Sequence, residues 1–517
     1  MPARWIERGL LWATLLTGPS LVLLYLQLPP SIDQWQLDYT GWLINLGHAP
    51  YVDIRDGNWP LSHWLHAMSV ALWGTDVFGW RRTDVLLLLA AVAAGTPLVA
   101  RLGGRAAVRW FWFLHPLLYL TTGSWFAGQR DVIAGHFGLA ALSLSWRHLE
   151  NRSHLPAALG GAALTAAALV KPTFALFAPV VALLAIALAR RGDLAPRDAV
   201  RGVLTIAAWS LAALLASVVL LALQGARPEA FWEHAIVAIV TRVASDSVPL
   251  GASLYEILRF CAGDYHWVTA FAWIATGVAF RAPDPGPRTA VALAWSVAGV
   301  GAASYLVQGH NLTYYAGPIL VGLSVLAAGA LGWATRSVEA EGARRWVALA
   351  LVALAALGSA AKIRTSYADL ILVVAGRGDR ATWEARYPAG DGIDLTEARG
   401  IAEELAAAVP PSRPLLVWGR ANVLNLLAER PQPTGFYHPP HFMREFLPGT
   451  IFEPWQDEFI ADLERDPPPA AWVRNVMDFG ETPASVFLAT WLAEHYVPGR
   501  AVASGRIYVR IPEAGDE

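Results

Sequence analysis

The feature that most limits this chain is its run of long apolar blocks, each about 14–25 residues rich in Leu, Ala and Val, close to what a helix needs to cross a hydrocarbon core roughly 30 Å thick. About eleven can be marked: Leu10–Leu28, Thr83–Ala100, Val108–Thr122, Val132–Trp146, Ala157–Val170, Pro172–Ala189, Val203–Leu223, Trp267–Phe280, Thr289–Val307, Tyr314–Trp333 and Trp346–Ala361. With 55% hydrophobic and 15% charged residues, the chain is too apolar for an ordinary soluble domain. The predicted class is therefore an α-helical polytopic membrane protein. The first block follows Arg4 and Arg8 and runs into Gln27-Leu28-Pro29-Pro30 without a small-x-small cleavage site, so it reads as an uncleaved first span.

Arginine placement sets an orientation. With the N-terminus cytoplasmic, the inner segments hold 16 Arg in 58 residues, against 8 basic residues in 109 outside. That asymmetry fits the positive-inside rule. Ala157–Ala189 is too long for one span, carries Arg just beyond each end and is interrupted by Lys171-Pro172, so a hairpin with Lys171 at the outer surface is expected. Leu61–Trp80, interrupted by His63, His66 and Asp76, is expected to lie along the interface; if it crossed, the Arg asymmetry would reverse. Residues 1–361 then form the membrane domain, including an outer loop at 29–82, and 362–517 lie outside. In that last part Pro414–Trp418, Ala471–Val473 and Arg506–Ile511 read as strands, and Asn422–Glu429 and Phe459–Glu464 as helices, predicting a small extracytoplasmic α/β domain.

A net charge of −2 leaves no basic footprint for nucleic acid. The single cysteine, Cys261, excludes an internal disulfide and a Cys-rich metal site. No P-loop, GxGxxG or HExxH motif occurs, and His438…His441 is too sparse for a metal site. No motif demands a cofactor; a divalent cation is the one candidate.

Chemistry-bearing residues gather in segments expected at the outer face. Asp33 follows the first span closely, where a carboxylate can take a proton from an attacking hydroxyl. Asp38 and Asp53 share its loop. Gly128-Gln129-Arg130-Asp131 lies between the third and fourth blocks, Lys171 at the hairpin tip, and Gln308-Gly309-His310-Asn311 before Tyr314 and Tyr315. Cations at span ends commonly reach toward the interface. If these ends converge, however, Arg130 and Lys171 can neutralise a lipid phosphate.

These residues resemble the GT-C superfamily of membrane glycosyltransferases, in particular its protein O-mannosyltransferase-like bacterial branch (family 39-like), which also contains the lipid A aminoarabinose transferase. The resemblance is carried by Asp33, by Gly47-x-x-Pro50-Tyr51-x-Asp53…Pro60…Leu72-Trp73-Gly74, and by Gly128-Gln-Arg-Asp131. It continues through Lys171-Pro172, Gln308-Gly309…Tyr314-Tyr315-x-x-Pro318 and Val417-Trp418-Gly419. It implies a polyprenyl-phosphate sugar donor, inverting transfer to a glycan, lipid or protein acceptor on the outer face of a bacterial inner membrane, and membrane lipid as surroundings. It makes Asp33 the base and gives Asp38, Asp53, Arg130, Asp131, Lys171, His310, Tyr314 and Tyr315 to substrate binding. The chain departs from the family in having Asp33-Gln34 for a paired Asp-Glu and Tyr315 where relatives often carry histidine. The alternatives are a transporter or flippase of a lipid-linked glycan, or a non-catalytic scaffold of an envelope polysaccharide system.

Overall fold

A computed structural model describes residues 2–245, 247–390, 392–437, 449–474, 481–502 and 505–512. In chain order the helices are α1 (Pro2–Tyr25), α2 (Ile32–Asn45), α3 (Pro60–Trp73), α4 (Gly79–Leu120), α5 (Arg130–Asn151), α6 (His154–Val170), α7 (Phe177–Arg190), α8 (Pro196–Leu223), α9 (Pro228–Trp232), α10 (Ala238–Ser245), α11 (Leu250–Arg259), α12 (His266–Arg281), α13 (Gly286–Gln308), α14 (Gly317–Ser337) and α15 (Ala343–Val374). They continue as α16 (Arg380–Glu384), α17 (Leu395–Ala408), α18 (Val423–Ala428), α19 (Phe452–Arg465) and α20 (Pro483–His495). The strands are β1 (Pro388–Gly390), β2 (Ile393–Asp394), β3 (Leu416–Trp418), β4 (Ala470–Arg474), β5 (Tyr496–Val502) and β6 (Gly505–Arg510). Two compact units result, one of residues 1–28, 81–218 and 247–371, the other of 29–80, 219–246 and 372–517. This division differs from a single boundary at 361/362, because the loop after the first span groups with the sheet-bearing part.

Every apolar block expected to cross falls on a helix. Among the described residues six stretches are both long and apolar enough for a membrane: Gly79–Leu120, Pro172–Arg190, Pro196–Leu223, Gly286–Gln308, Thr313–Ser337 and Ala343–Val374. At 42 residues, α4 would be about 63 Å long if straight, twice a bilayer's core. It breaks at Gly103–Gly104, where Gly104 has φ 62°, a left-handed conformation glycine adopts without a Cβ clash. The break separates the two blocks read from sequence. The chain also breaks at Lys171, whose extended backbone (φ −158°, ψ 122°) closes α6 before the turn Pro172–Leu176.

Within the first unit α14 is central, packing against α5, α12 and α13, with nearly all of its residues buried. By contrast α8 buries only Ala199, Gly202 and Ile206 and exposes Leu204, Leu211, Leu215 and Val218, an apolar surface suited to lipid rather than water. Membrane-protein character therefore rests on outward-facing apolar side chains as well as on composition. Small residues set the spacing around α14. A Cβ built on Gly322 would lie 2.6 Å from the Ala294 carbonyl oxygen and 2.8 Å from the Ala298 nitrogen on α13, so only glycine permits this approach.

In the second unit a four-stranded sheet runs in the order β3-β4-β6-β5, with β3 and β4 parallel and the other pairs antiparallel. Alternation divides its side chains. Val417, Trp472 and Ile507 pack with α2, α17 and α18, whereas Leu416, Trp418, Ala471 and Val473 pack with α19 and α20. The strand and helix segments read from sequence in this part are all present. The segment expected to lie along the interface forms helix α3, and its polar side is the buried one: Ser62, His63, His66 and Ser69 are enclosed, while Met68 and Leu72 are exposed.

Replacing Gly322 by Val is expected to overpack α13 against α14 and cost about 1–3 kcal/mol, read as a lower melting temperature of the detergent-purified protein. An unchanged melting temperature would mean that the two helices can separate freely here.

Candidate functional site

In the first unit four separate elements bring polar groups to one end of the helices. Asp131, in the first turn of α5, has no solvent exposure. Lys171, between α6 and α7, places its Nζ 2.9 Å from both Asp131 oxygens. Gln308, at the end of α13, accepts a hydrogen bond from Lys171 and donates to Asp131 at 3.0 Å and to Ser304 at 3.1 Å. Thr173 and Ser304 share a 2.7 Å hydroxyl contact. The Tyr315 ring lies 4.4 Å beneath the Lys171 ammonium, the Tyr314 ring is 4.8 Å from that of Tyr315, and Trp125 packs edge-on against Tyr314.

The physical logic is charge pairing. A fully buried carboxylate needs a cation and hydrogen-bond donors, and Lys171 with Gln308 provides both. Lysine has three N–H donors, and Asp131 with Gln308 offers three acceptor oxygens. Lys171, partly buried, is thus paired with Asp131 and Gln308 in this structure.

A second mesh fixes the loop that leads into Arg130 and Asp131. Buried Arg81 donates to the carbonyl oxygens of Leu28, Ala127 and Ser124 at 3.1, 2.9 and 3.1 Å, and to the Tyr25 hydroxyl at 2.9 Å. Tyr25 donates to Asp84, as does Tyr119 at 2.6 Å, and the Gly128 N–H donates to the Tyr119 hydroxyl at 2.7 Å. Arg81 and Asp84 thereby position the turn at 124–128, immediately before Arg130. Nearby in the same helices His115 bonds to Ser324 at 2.7 Å and to His136 at 3.1 Å. None of Arg81, Asp84, Tyr119, His115 and His136 was singled out from sequence. The available signal was an ionisable residue in or beside an apolar block, which is costly unless partnered.

In the second unit Asp33 stands in the first turn of α2, half-buried, where the helix dipole favours a carboxylate. The preceding turn is closed by the Ser31 N–H donating to Gln34 at 3.1 Å. Asp38 lies one turn on, buried, with an oxygen 2.7 Å from His66 Nδ1. The His66 ring stacks on Trp80 at 3.5 Å. Asp53 is exposed and accepts the Ala49 N–H at 2.8 Å, closing its own loop. Asp56, not selected from sequence, is buried and accepts from Tyr437 and Asn58, with His63 at 3.8 Å. Burial raises the Tyr51 hydroxyl well above its ordinary range, and the neighbouring Asp56 charge adds to it. His234 stacks on Trp455. Burial pushes its imidazole down from 6.5 to about 4, aided by Arg55 and opposed by Asp56 and Glu458.

Of the residues expected from sequence, Asp131, Lys171, Tyr314 and Tyr315 are brought together. Arg130 adjoins them in the chain, and His310 is half-buried in the turn after Gln308. Asp33, Asp38 and Asp53 belong to the other unit. His438 and His441 lie outside the described residues. No group of three or more His, Cys, Asp or Glu side chains among the described residues could hold a metal ion.

This arrangement of kinked and hairpin helices with a small mixed sheet is the GT-C fold. A solved structure that shares it is ArnT from Cupriavidus metallidurans bound to undecaprenyl phosphate, 16% identical, with a TM-score of 0.63 over 98% of this chain and 99% of that one. The same protein in its apo state is 15% identical, with a TM-score of 0.60 over 98% of each chain. No protein-family model matches this chain, and no curated protein matches it significantly by sequence.

Two measurements follow from the buried charges. Lys171→Met leaves Asp131 uncompensated and is expected to cost about 3 kcal/mol of stability. Adding Asp131→Asn should recover much of the loss; equal melting temperatures for wild type and Lys171→Met would show that the pair does not matter. His234 takes up a proton more readily unfolded than folded between pH about 4 and 6.5, so its contribution is complete above 6.5 and is lost as pH falls toward 4. It amounts to about 3 kcal/mol at most, and His234→Asn should flatten that part of the melting temperature against pH profile.

Proposed function

We propose that this chain is an inverting glycosyltransferase that moves a sugar from a polyprenyl-phosphate donor to an acceptor hydroxyl or amine on the outer face of the membrane. The observation that carries the reading is the end-to-end fold shared with a structure holding undecaprenyl phosphate. The Arg distribution supports a cytoplasmic N-terminus and an outer C-terminal domain.

In this reading the acceptor oxygen or nitrogen attacks the anomeric carbon, the bond from that carbon to the phosphate oxygen breaks, and the acceptor's proton passes to Asp33. Polyprenyl phosphate leaves with both electrons of the broken bond. Asp33 suits the role because it is a half-buried carboxylate that remains accessible. The leaving phosphate is met by Arg130 and by Lys171, which exchanges its Gln308 contact for a phosphate oxygen while Asp131 keeps it charged and in place. Tyr314, Tyr315 and His310 border that position. Asp38, held by His66, and Asp53, closing its own turn, organise the loop beside Asp33.

The experiment is transfer from a panel of radiolabelled polyprenyl-phosphate sugars by purified protein in lipid. Asp33→Asn should lose about 10²- to 10⁴-fold in turnover with donor binding retained. A variant as active as wild type would remove Asp33 from the mechanism. No transfer from any donor, with labelled lipid crossing the bilayer instead, would assign the chain to transport.

A further inference from the structure

At the far end of α14 from Tyr315 lies a cavity of about 500 Å³, enclosed by residues of the first unit alone. Its floor is apolar, formed by Leu102, Ala275, Val278 and Ala279 among others. Three arginines from three elements edge it: Arg281 at the end of α12, Arg336 in the last turn of α14 and Arg344 at the start of α15. The 21 residues of α14 place this cavity about 30 Å from the Asp131–Lys171 pair, the thickness of a hydrocarbon core.

Arginines in inner segments satisfy positive-inside placement by reaching to the interface, and four of them also find a carboxylate. Arg101 pairs with Glu150, Arg109 with Glu7, Arg152 with Asp198 and Arg191 with Asp193. The three cavity arginines differ. Among the described residues none of them has a carboxylate partner. Arg336 donates to the Gly103 carbonyl, Arg344 donates to Ser337 at 3.2 Å with its guanidinium 5.6 Å over Trp333, and Arg281 makes no hydrogen bond among the described residues. The acids nearest in sequence are each three residues away: Asp284 accepts the Gly286 N–H at 2.9 Å and interacts with Arg101, and Glu339 and Glu341 are not ion-paired with Arg336 or Arg344 among the described residues. Three uncompensated cations over an apolar floor are complementary to one chemistry: a phosphate group attached to acyl chains.

We propose that this cavity binds the headgroup of an anionic glycerophospholipid, its phosphate held by Arg281, Arg336 and Arg344 and its chains leaving over Leu102 and Val278. The site is separate from the donor phosphate position and does not depend on the reading of the reaction.

The test is native mass spectrometry of the whole protein in a zwitterionic detergent, titrated with phosphatidylglycerol and with phosphatidylcholine of the same chains. Phosphatidylglycerol should bind at least tenfold tighter than phosphatidylcholine. Arg281→Gln/Arg344→Gln should weaken it by roughly thirtyfold, whereas Arg281→Lys/Arg344→Lys should stay within a fewfold. Lys171→Met should leave the affinity unchanged, and inorganic phosphate at the same concentration should not compete. Arg336 is spared because it also holds the α4 break. Equal binding of the two lipids by wild type would overturn the proposal without reference to any variant. So would undiminished binding by the Gln variant, a loss in Lys171→Met, or displacement by free phosphate.

Discussion

Asp131 is a carboxylate with no access to solvent, and the helical unit is organised around that fact. In such a place its charge has to be matched within a few ångströms, because the attraction that offsets its lost hydration weakens with distance. Lys171 can match it only if α6 stops at Val170, and Gln308 can complete the set only if α13 ends beside both. The helix ends are therefore tied to one another by charge as much as by apolar packing. Apolar contact has no direction, and it gains little between helices in lipid; a salt bridge with defined donors specifies register.

The Arg81–Tyr25–Asp84–Tyr119 mesh extends the same logic. Its groups bond to carbonyl and amide groups in irregular backbone, which hydrocarbon would otherwise leave unsatisfied. The loop before Arg130 is held by these bonds, so Arg130 stands on a fixed base. In the second unit α2 and α3 are joined in a parallel way, through Asp38 to His66 and through Thr40 to His63 at 3.1 Å. Helix α3 consequently turns its polar side inward and leaves Met68 and Leu72 outside, the reverse of a helix on a water-soluble protein.

Much of this was legible in the chain. Apolar blocks mark helices because a span must satisfy its backbone internally, and Lys171-Pro172 marks a break because proline interrupts a helix locally. The strands at 416–418 and 470–474 were legible because alternate side chains face two apolar layers. Candidate residues Asp131, Lys171 and Tyr315 stood out as polar groups beside apolar blocks. The partners did not: nothing local joins Lys171 to Gln308, 137 positions away, or Tyr437 to Asp56, 381 positions away.

The sequence by itself determined that the chain is helical and apolar, where its helices break, and which residues carry charge into apolar surroundings, since these depend on spacing along the backbone. Only the tertiary structure decided which charges are matched. It gave Asp131 to Lys171, enclosed Asp38 against His66, grouped residues 29–80 with the C-terminal sheet, and left Arg281, Arg336 and Arg344 around one cavity without a carboxylate among the described residues. Pairing depends on distance in space, and that is set when non-adjacent helices pack.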